Sequence, residues 1–419
     1  MSMIAVQVGS LVRNRRALLA FAYFFLIITA YYLIKPVRSS FVISQLGSAQ
    51  LPALYIMTAV VLGGLVAWHA RLARRIAPQR LTQIILLALA AQLLAFRWLL
   101  PLPYGWISGL FYLWTSMFSV VAVTQFWTIA DDLFDPAEAK QCFGFIGAGG
   151  IAGGVVGGAL ASGLVRWMRS EDLLIVAAAF LCFSLLLVRR LWAASRPQPT
   201  ESLEAVAHST NASGCSSLLC YLKQFRYLRY LLLLVVVAKA VSTVIDYQFN
   251  GLVELAVTGT EARTALFGTF YTVLNVTSLA VQLLLTSRLF NRLGVYRSLT
   301  VLPVGLAVGL IGLLVIPGLA VAGLVALYDR SLNYSLGQTG KEVLYVSVPS
   351  EVRYQIKPLI DAAAFRLAQG MAGAGLLLAQ HLGHLPPQAF GLLALPMLVI
   401  WWLAIHRLQA VQPAWVQRT

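Results

Sequence analysis

The chain is a succession of apolar runs, each about as long as the hydrocarbon core of a bilayer is thick. A membrane-spanning helix needs about 20 predominantly apolar residues. Twelve such runs can be drawn, near 17–44, 51–70, 81–100, 104–130, 143–165, 172–188, 228–250, 264–287, 298–317, 319–346, 358–380 and 388–406. Inside lipid, backbone amides must find partners within their own segment, so the runs are expected as helices rather than open strands. Composition agrees: 59% of the 419 residues are hydrophobic and only 11% are charged, against about 25% charged in soluble domains. The expected class is an all-α polytopic membrane protein with about twelve transmembrane helices.

A net charge of +16 would suit a nucleic-acid binder, but the basic residues sit in short loops between apolar runs, as the positive-inside rule describes. No nucleic-acid partner is expected; the lipid bilayer is. With the N-terminus inside, cytoplasmic segments hold 21 of the 31 Lys and Arg, and external loops hold four, Arg97, Arg166, Arg169 and Arg263. Both termini are therefore expected in the cytoplasm (N-in, C-in). The first run is too long for a signal-peptide core and no long transit sequence precedes it, which points to the bacterial cytoplasmic (inner) membrane, crossed many times. Four cysteines suggest no disulfide framework, the five histidines lack metal-ligand spacing, and no nucleophile–base pair appears. Neither a metal, a cofactor nor an enzymatic activity is expected.

The segment from Ala193 to Ser217 carries the Pro, Ser, Thr, Glu and Asn that the apolar runs lack. It divides the chain into an N-terminal six-helix bundle (1–190), a cytoplasmic linker (191–225) and a C-terminal six-helix bundle (226–419). An internal repeat supports this division. Arg71-Leu72-x-x-Arg75-Ile76-x-x-x-Arg80 follows the second run, and Arg288-Leu289-x-x-Arg292-Leu293-x-x-x-Arg297 follows the eighth. Pro136-x-Glu138-x-Lys140 likewise answers Pro349-x-Glu351-x-Arg353. Two parallel halves with basic cytoplasmic turns after the second helix of each is the pattern of major-facilitator transporters.

Charges inside the apolar runs mark the functional candidates, since one at the bilayer centre costs roughly 2.5–3.5 kcal/mol on insertion scales. The first run holds two, Lys35 and Arg38, within Tyr31-Tyr32-Leu33-Ile34-Lys35-Pro36-Val37-Arg38. Later runs hold Lys239, Arg330, Lys341 and Arg366 with Asp246, Asp329, Glu342 and Asp361. Lys239 and Asp246 share one helix face with Ser242 between them, Lys357 and Asp361 are i, i+4, and the adjacent acids and bases of the tenth run need partners on other helices. Six cations against four anions leave a positive surplus, which favours an anionic solute. The alternative is that Lys35 and Arg38 snorkel outward to the headgroups. Pro36 removes a helix hydrogen bond and permits the first helix to bend.

Polar residues also recur at helical spacing: Arg330, Tyr334, Gly337, Lys341 and Tyr345; Tyr271, Asn275, Ser278 and Gln282; Thr124, Thr128 and Asp131. Each stripe could serve interhelical hydrogen bonding alone; together with the charges they outline a solute pathway. Gly147-Ala148-Gly149-Gly150-Ile151-Ala152 fits G-x-G-x-x-A, but no βαβ unit surrounds it. Its physical reading is two close-packing ridges, Gly149/Gly153/Gly157 and Gly150/Gly154/Gly158.

Several blocks resemble the ATP/ADP translocase (nucleotide transporter, NTP/NDP exchanger) family: Tyr32-Leu33-Ile34-Lys35-Pro36-Val37-Arg38; Phe126-Trp127-x-x-Ala130-Asp131 with Glu138-Ala139-Lys140; Lys341-Glu342-Val343-Leu344-Tyr345; and Lys357-Pro358-Leu359-Ile360-Asp361. The resemblance implies a twelve-span, major-facilitator-like fold and exchange of nucleotides across a membrane. By resemblance, Lys35 matches the lysine that meets substrate phosphate, Asp246 falls where exchangers carry a glutamate, and Lys341 and Lys357 match lysines of the family's late motif. Thr115 stands, uncharged, where exchangers carry another glutamate.

The resulting expectation is a secondary transporter, working by alternating access, of an anionic, phosphorylated or nucleotide-like solute, acting as a monomer and exchanging it for a counter-solute. Lys35, Arg38, Asp246, Lys341, Tyr334, Asn275 and Lys357 would bind the solute. Lys239, Asp131, Glu342, Asp361 and Arg366 would serve as coupling or gating charges. The alternative is a proton-coupled transporter or exporter of an unrelated organic or lipid-like solute, with Asp246 and Asp361 as proton carriers.

Overall fold

The computed structural model describes residues 15–73, 78–193, 225–348, 352–353, 356–357, 359–383 and 386–411. Most of the linker 191–225 lies outside the described residues, as do Pro349 and Glu351 of the second repeat. Thirteen α-helices follow in order: α1 (Arg15–Gln45), α2 (Leu51–Ala73), α3 (Pro78–Leu99), α4 (Gly105–Leu133), α5 (Pro136–Leu164), α6 (Leu173–Ala193), α7 (Arg226–Ala256), α8 (Thr260–Ala280), α9 (Ser287–Val315), α10 (Leu319–Leu332), α11 (Gln338–Val346), α12 (Phe365–Leu382) and α13 (Gly391–Ala410). Among the described residues there is no strand.

Among the described residues nine stretches are long and apolar enough to cross a bilayer. One of them, Thr260–Val315, contains both the eighth and ninth expected runs, divided where Gly294 takes a φ of 74° inside the basic turn. The second and tenth expected runs are helical but fall outside the nine. In the tenth, Asp329, Arg330, Lys341 and Glu342 interrupt the apolar sequence. Large apolar side chains at helical spacing, such as Val304, Val308, Ile311 and Val315 on α9, are exposed, a stripe that lipid would cover.

The helices form two compact units. The first gathers α1, α3 to α6 and the segment Val257–Val276; the second gathers Ala49–Gly63, α7 and the chain from Thr277 onward. A segment before the linker thus belongs to the second unit and one after it to the first.

In the first unit α1 is the central helix, packed on α4, α5 and α6, with Ile27, Leu33, Ile34 and Val37 fully buried. Its approach to α5 uses the glycine ridges. A Cβ at Gly149 would stand 2.8 Å from the Phe21 carbonyl oxygen and one at Gly157 2.6 Å from that of Thr29; Gly153 faces the Phe25 carbonyl between them. Three glycines, each four residues apart, therefore meet three carbonyls in the same register. The other ridge divides: Gly150 lies under Phe24, whereas Gly154 and Gly158 lie under Asn275, Thr272 and Gly268 of α8. In the second unit α7 packs on α10, α12 and α13. Three π-helical turns interrupt this unit, at Val281–Thr286, Asn333–Gly337 and Leu359–Ala364. Such turns are rare and frequently sit at functional sites.

Candidate functional site

In the first unit, both cations of α1 turn into the bundle. The Lys35 ammonium lies over three tyrosine rings, 4.2 Å from the centroid of Tyr271, 5.2 Å from Tyr32 and 5.6 Å from Tyr31. Tyr271 comes from α8 and is buried. The Arg38 guanidinium lies 4.5 Å from the Tyr112 ring on α4, and its Nη2 donates to Ser39 Oγ at 3.4 Å. Ring faces attract cations by their quadrupole, and more strongly when water is excluded. Both side chains lie against aromatic rings. One turn beyond Pro36, Ser40 Oγ lies 2.9 Å from the Pro36 carbonyl oxygen and 2.5 Å from Thr264 Oγ1, which also meets Ser170 Oγ at 2.9 Å.

Other residues of this unit stand differently. Asn275 is buried, donates Nδ2 to the Tyr271 carbonyl at 2.8 Å and fills the space over Gly154. Thr115 is fully buried, and its hydroxyl donates to the Phe111 carbonyl at 2.8 Å. Asp131 sits apart, exposed near the end of α4.

The second unit holds the remaining charges in two clusters, and their pairing differs from the sequence expectation. Asp246 pairs not with Lys239 on its own helix but with Arg330 of α10, and its other oxygen accepts a hydrogen bond from Tyr55 OH at 2.6 Å. Lys239 instead lies 4.7 Å from the Phe365 ring, which Arg366 also approaches, at 5.7 Å. Asp329, 2% exposed, accepts from Ser242 Oγ at 2.9 Å and from Asn333 Nδ2 at 2.8 Å.

In the second cluster Lys357 pairs with Glu342 at 2.6 Å rather than with Asp361. Asp361 is held by Lys341 at 3.0 Å and by Tyr345 OH at 3.1 Å. The polar stripe of the tenth run is broken by the π turn at Asn333–Gly337: Arg330, Lys341 and Tyr345 point inward, whereas Tyr334 is 54% exposed. A wider turn shifts the register that a 3.6-residue period assumes. Among the described residues no three His, Cys, Asp or Glu side chains come together in a way that could hold a metal ion.

The sequence reading passed over Tyr55, Ser242, Asn333 and Tyr271 as site residues, and named Arg330 without assigning it a role. Arg330 was visible as an intramembrane charge. Tyr55 had no signal, being one hydroxyl in an apolar run.

The family model described as the TLC ATP/ADP transporter matches residues 76–317. The chain belongs to the TLC ATP/ADP transporter family. No curated protein matches it. Solved structures resemble its fold. A bacterial homologue of the iron transporter ferroportin in an inward-facing state superposes with a TM-score of 0.69 at 12% identity, covering 94% of this chain and 98% of that one. The nucleoside transporter NupG gives 0.67 at 12% identity, over 94% and 99%. The POT family transporter PepTSo gives 0.63 at 12%, over 94% and 97%. At such identities the likeness establishes the fold, that of major-facilitator transporters. This TLC-family chain is accordingly a multi-pass membrane transporter and not an enzyme.

Proposed function

We propose that this TLC-family transporter moves an anionic solute, phosphorylated or nucleotide-like, across the cytoplasmic membrane by alternating access, exchanging it for a counter-solute. The observation that carries this reading is the inward-facing Lys35 ammonium over the rings of Tyr31, Tyr32 and Tyr271. A cation kept inside an apolar bundle is costly and by default marks a functional site, and an ammonium is the charge that attracts an incoming anion. Arg38, one turn further along α1, extends the same positive surface.

The clusters of the second unit then act as gating groups. Lys341 with Asp361 and Lys357 with Glu342 are ion pairs that break and re-form as access alternates between the bundles 1–190 and 226–419, with one chain as the working unit. Asn275 supports the site through the α5–α8 packing rather than by touching solute. Membership of a family of ATP/ADP transporters supports a nucleotide as the solute.

A thermal-shift panel on detergent-purified protein tests this, because a ligand that binds only the folded state stabilises it by about 2.7 kcal/mol at a hundred times its Kd. Nucleotides, nucleotide sugars or phosphate esters are expected to raise the melting temperature, whereas neutral nucleosides and organic cations are not. Stabilisation confined to neutral or cationic solutes would overturn the reading.

A further inference from the structure

Three chain segments of the second unit meet at one carboxylate. One oxygen of Asp246, on α7, faces Arg330 Nη2 of α10, and the other accepts the Tyr55 hydroxyl at 2.6 Å. Tyr55 lies in Ala49–Gly63, a segment that also rests closely on α12: the Pro52 carbonyl oxygen stands 2.7 Å from where a Cβ at Gly373 would be, and the Ala59 Cβ 3.1 Å from one at Gly370. Asp246 thus does two things at once. It neutralises a guanidinium, and it holds the Tyr55 segment to α7.

The pair differs from a sealed structural ion pair. The Arg330 side chain is 13% exposed and that of Asp246 33% exposed, so the carboxylate is the more accessible member of the pair. The neighbouring acid, Asp329, is held by Ser242 and Asn333. A guanidinium presents a planar fork that accepts carboxylate or phosphate oxygens in the same geometry. What Asp246 offers Arg330, an anionic solute also offers.

We infer that Asp246 is a built-in stand-in for the solute's anionic group on Arg330, and that the arriving anion displaces it. Arg330 is then an anion contact of the second unit rather than a fixed strut. Displacement changes the charge environment of the oxygen that Tyr55 holds, so solute binding alters the attachment of the Ala49–Gly63 segment. Binding and the movement of that segment share a single carboxylate, which ties conformational change to an occupied site. The inference rests on the anionic-solute reading above.

The test measures ADP binding by titration calorimetry and ADP/ADP exchange in proteoliposomes for the full chain. Asp246→Asn removes the competing charge but keeps an acceptor for Tyr55; it is expected to bind ADP about tenfold more tightly, or ~1.4 kcal/mol, while exchanging more slowly. Arg330→Lys keeps the charge and loses the fork, so it should bind ADP more weakly with its melting temperature retained. Tyr55→Phe removes the bond between the Ala49–Gly63 segment and the carboxylate and should alter the ADP exchange rate. If wild type binds ADP but Asp246→Asn binds it no better, the stand-in role is wrong while the anion reading survives. If wild type binds no ADP, this inference fails together with the nucleotide form of that reading.

Discussion

The close packing of α5 on the α1 backbone gives a sharp stability prediction. At Gly157 an added Cβ would lie 2.6 Å from the Thr29 carbonyl oxygen, 2.8 Å from the Tyr32 Cβ and 3.1 Å from the Thr29 Cα. Two of these three are backbone atoms of α1, which cannot swing aside as the end of a side chain can. Gly157→Ala therefore has to push α1 and α5 apart, and overpacking of this kind costs roughly 1–3 kcal/mol. Alanine returns about 0.5–1 kcal/mol through its better helix propensity, leaving a net loss of about 0.5–2 kcal/mol. Gly147, on the same helix, has nothing within 4 Å of its would-be Cβ, so Gly147→Ala keeps only the gain. The two variants should shift the thermal unfolding midpoint, followed by intrinsic fluorescence in detergent, in opposite directions. Gly157→Ala should also weaken solute affinity, because Tyr32 flanks the Lys35 ammonium. A Gly157→Ala midpoint equal to or above that of Gly147→Ala would refute the reasoning.

Two further outcomes follow from the charged and polar sites. Thr115→Glu places an acid where exchangers of the family carry one, but the site is fully buried and its hydroxyl is bonded to the Phe111 carbonyl. A carboxylate there would be desolvated at a cost of several kcal/mol, so reduced yield of folded protein is expected on size-exclusion chromatography rather than a gain in exchange. In the late cluster, Glu342→Gln breaks a half-exposed pair with Lys357 and should change stability by no more than about 1 kcal/mol, whereas Asp361→Ala strands the more buried Lys341 and the Tyr345 hydroxyl and should cost about 1–3 kcal/mol by thermal unfolding.

How far the sequence went depended on which interactions are local. The apolar runs and the Gly149/Gly153/Gly157 ridge were legible because helix length and i, i+4 spacing are properties of a single segment. That Lys35 and Arg38 needed a polar setting was the expectation, from the cost of charge in lipid. The setting itself was not legible: Tyr271 reaches Lys35 from a helix more than two hundred residues away. Pairing failed for the same reason. Lys239 and Asp246 share a helix face, and Lys357 and Asp361 share an i, i+4 spacing, yet Arg330, Lys341 and Glu342 take the acids and bases instead. Helix rotation decides that choice, and the π turns at Asn333–Gly337 and Leu359–Ala364 alter rotation in a way a regular 3.6-residue period does not register. The placement of Ala49–Gly63 and Val257–Val276 in units away from their neighbours in sequence was hidden likewise, since nothing in either segment's composition distinguishes it from the other apolar runs.

Anion transport through Lys35 is tested most directly by uptake into proteoliposomes. Protein is reconstituted as wild type and as Lys35→Gln, the vesicles are loaded with the phosphorylated solute that stabilises the protein best, and entry of its labelled form is followed with and without a pH gradient. Wild type should take up label only when the counter-solute is inside, irrespective of the gradient, and Lys35→Gln should lose most of that uptake while unfolding at nearly the wild-type temperature. Undiminished uptake by Lys35→Gln, or uptake driven by the pH gradient into empty vesicles, would contradict the account.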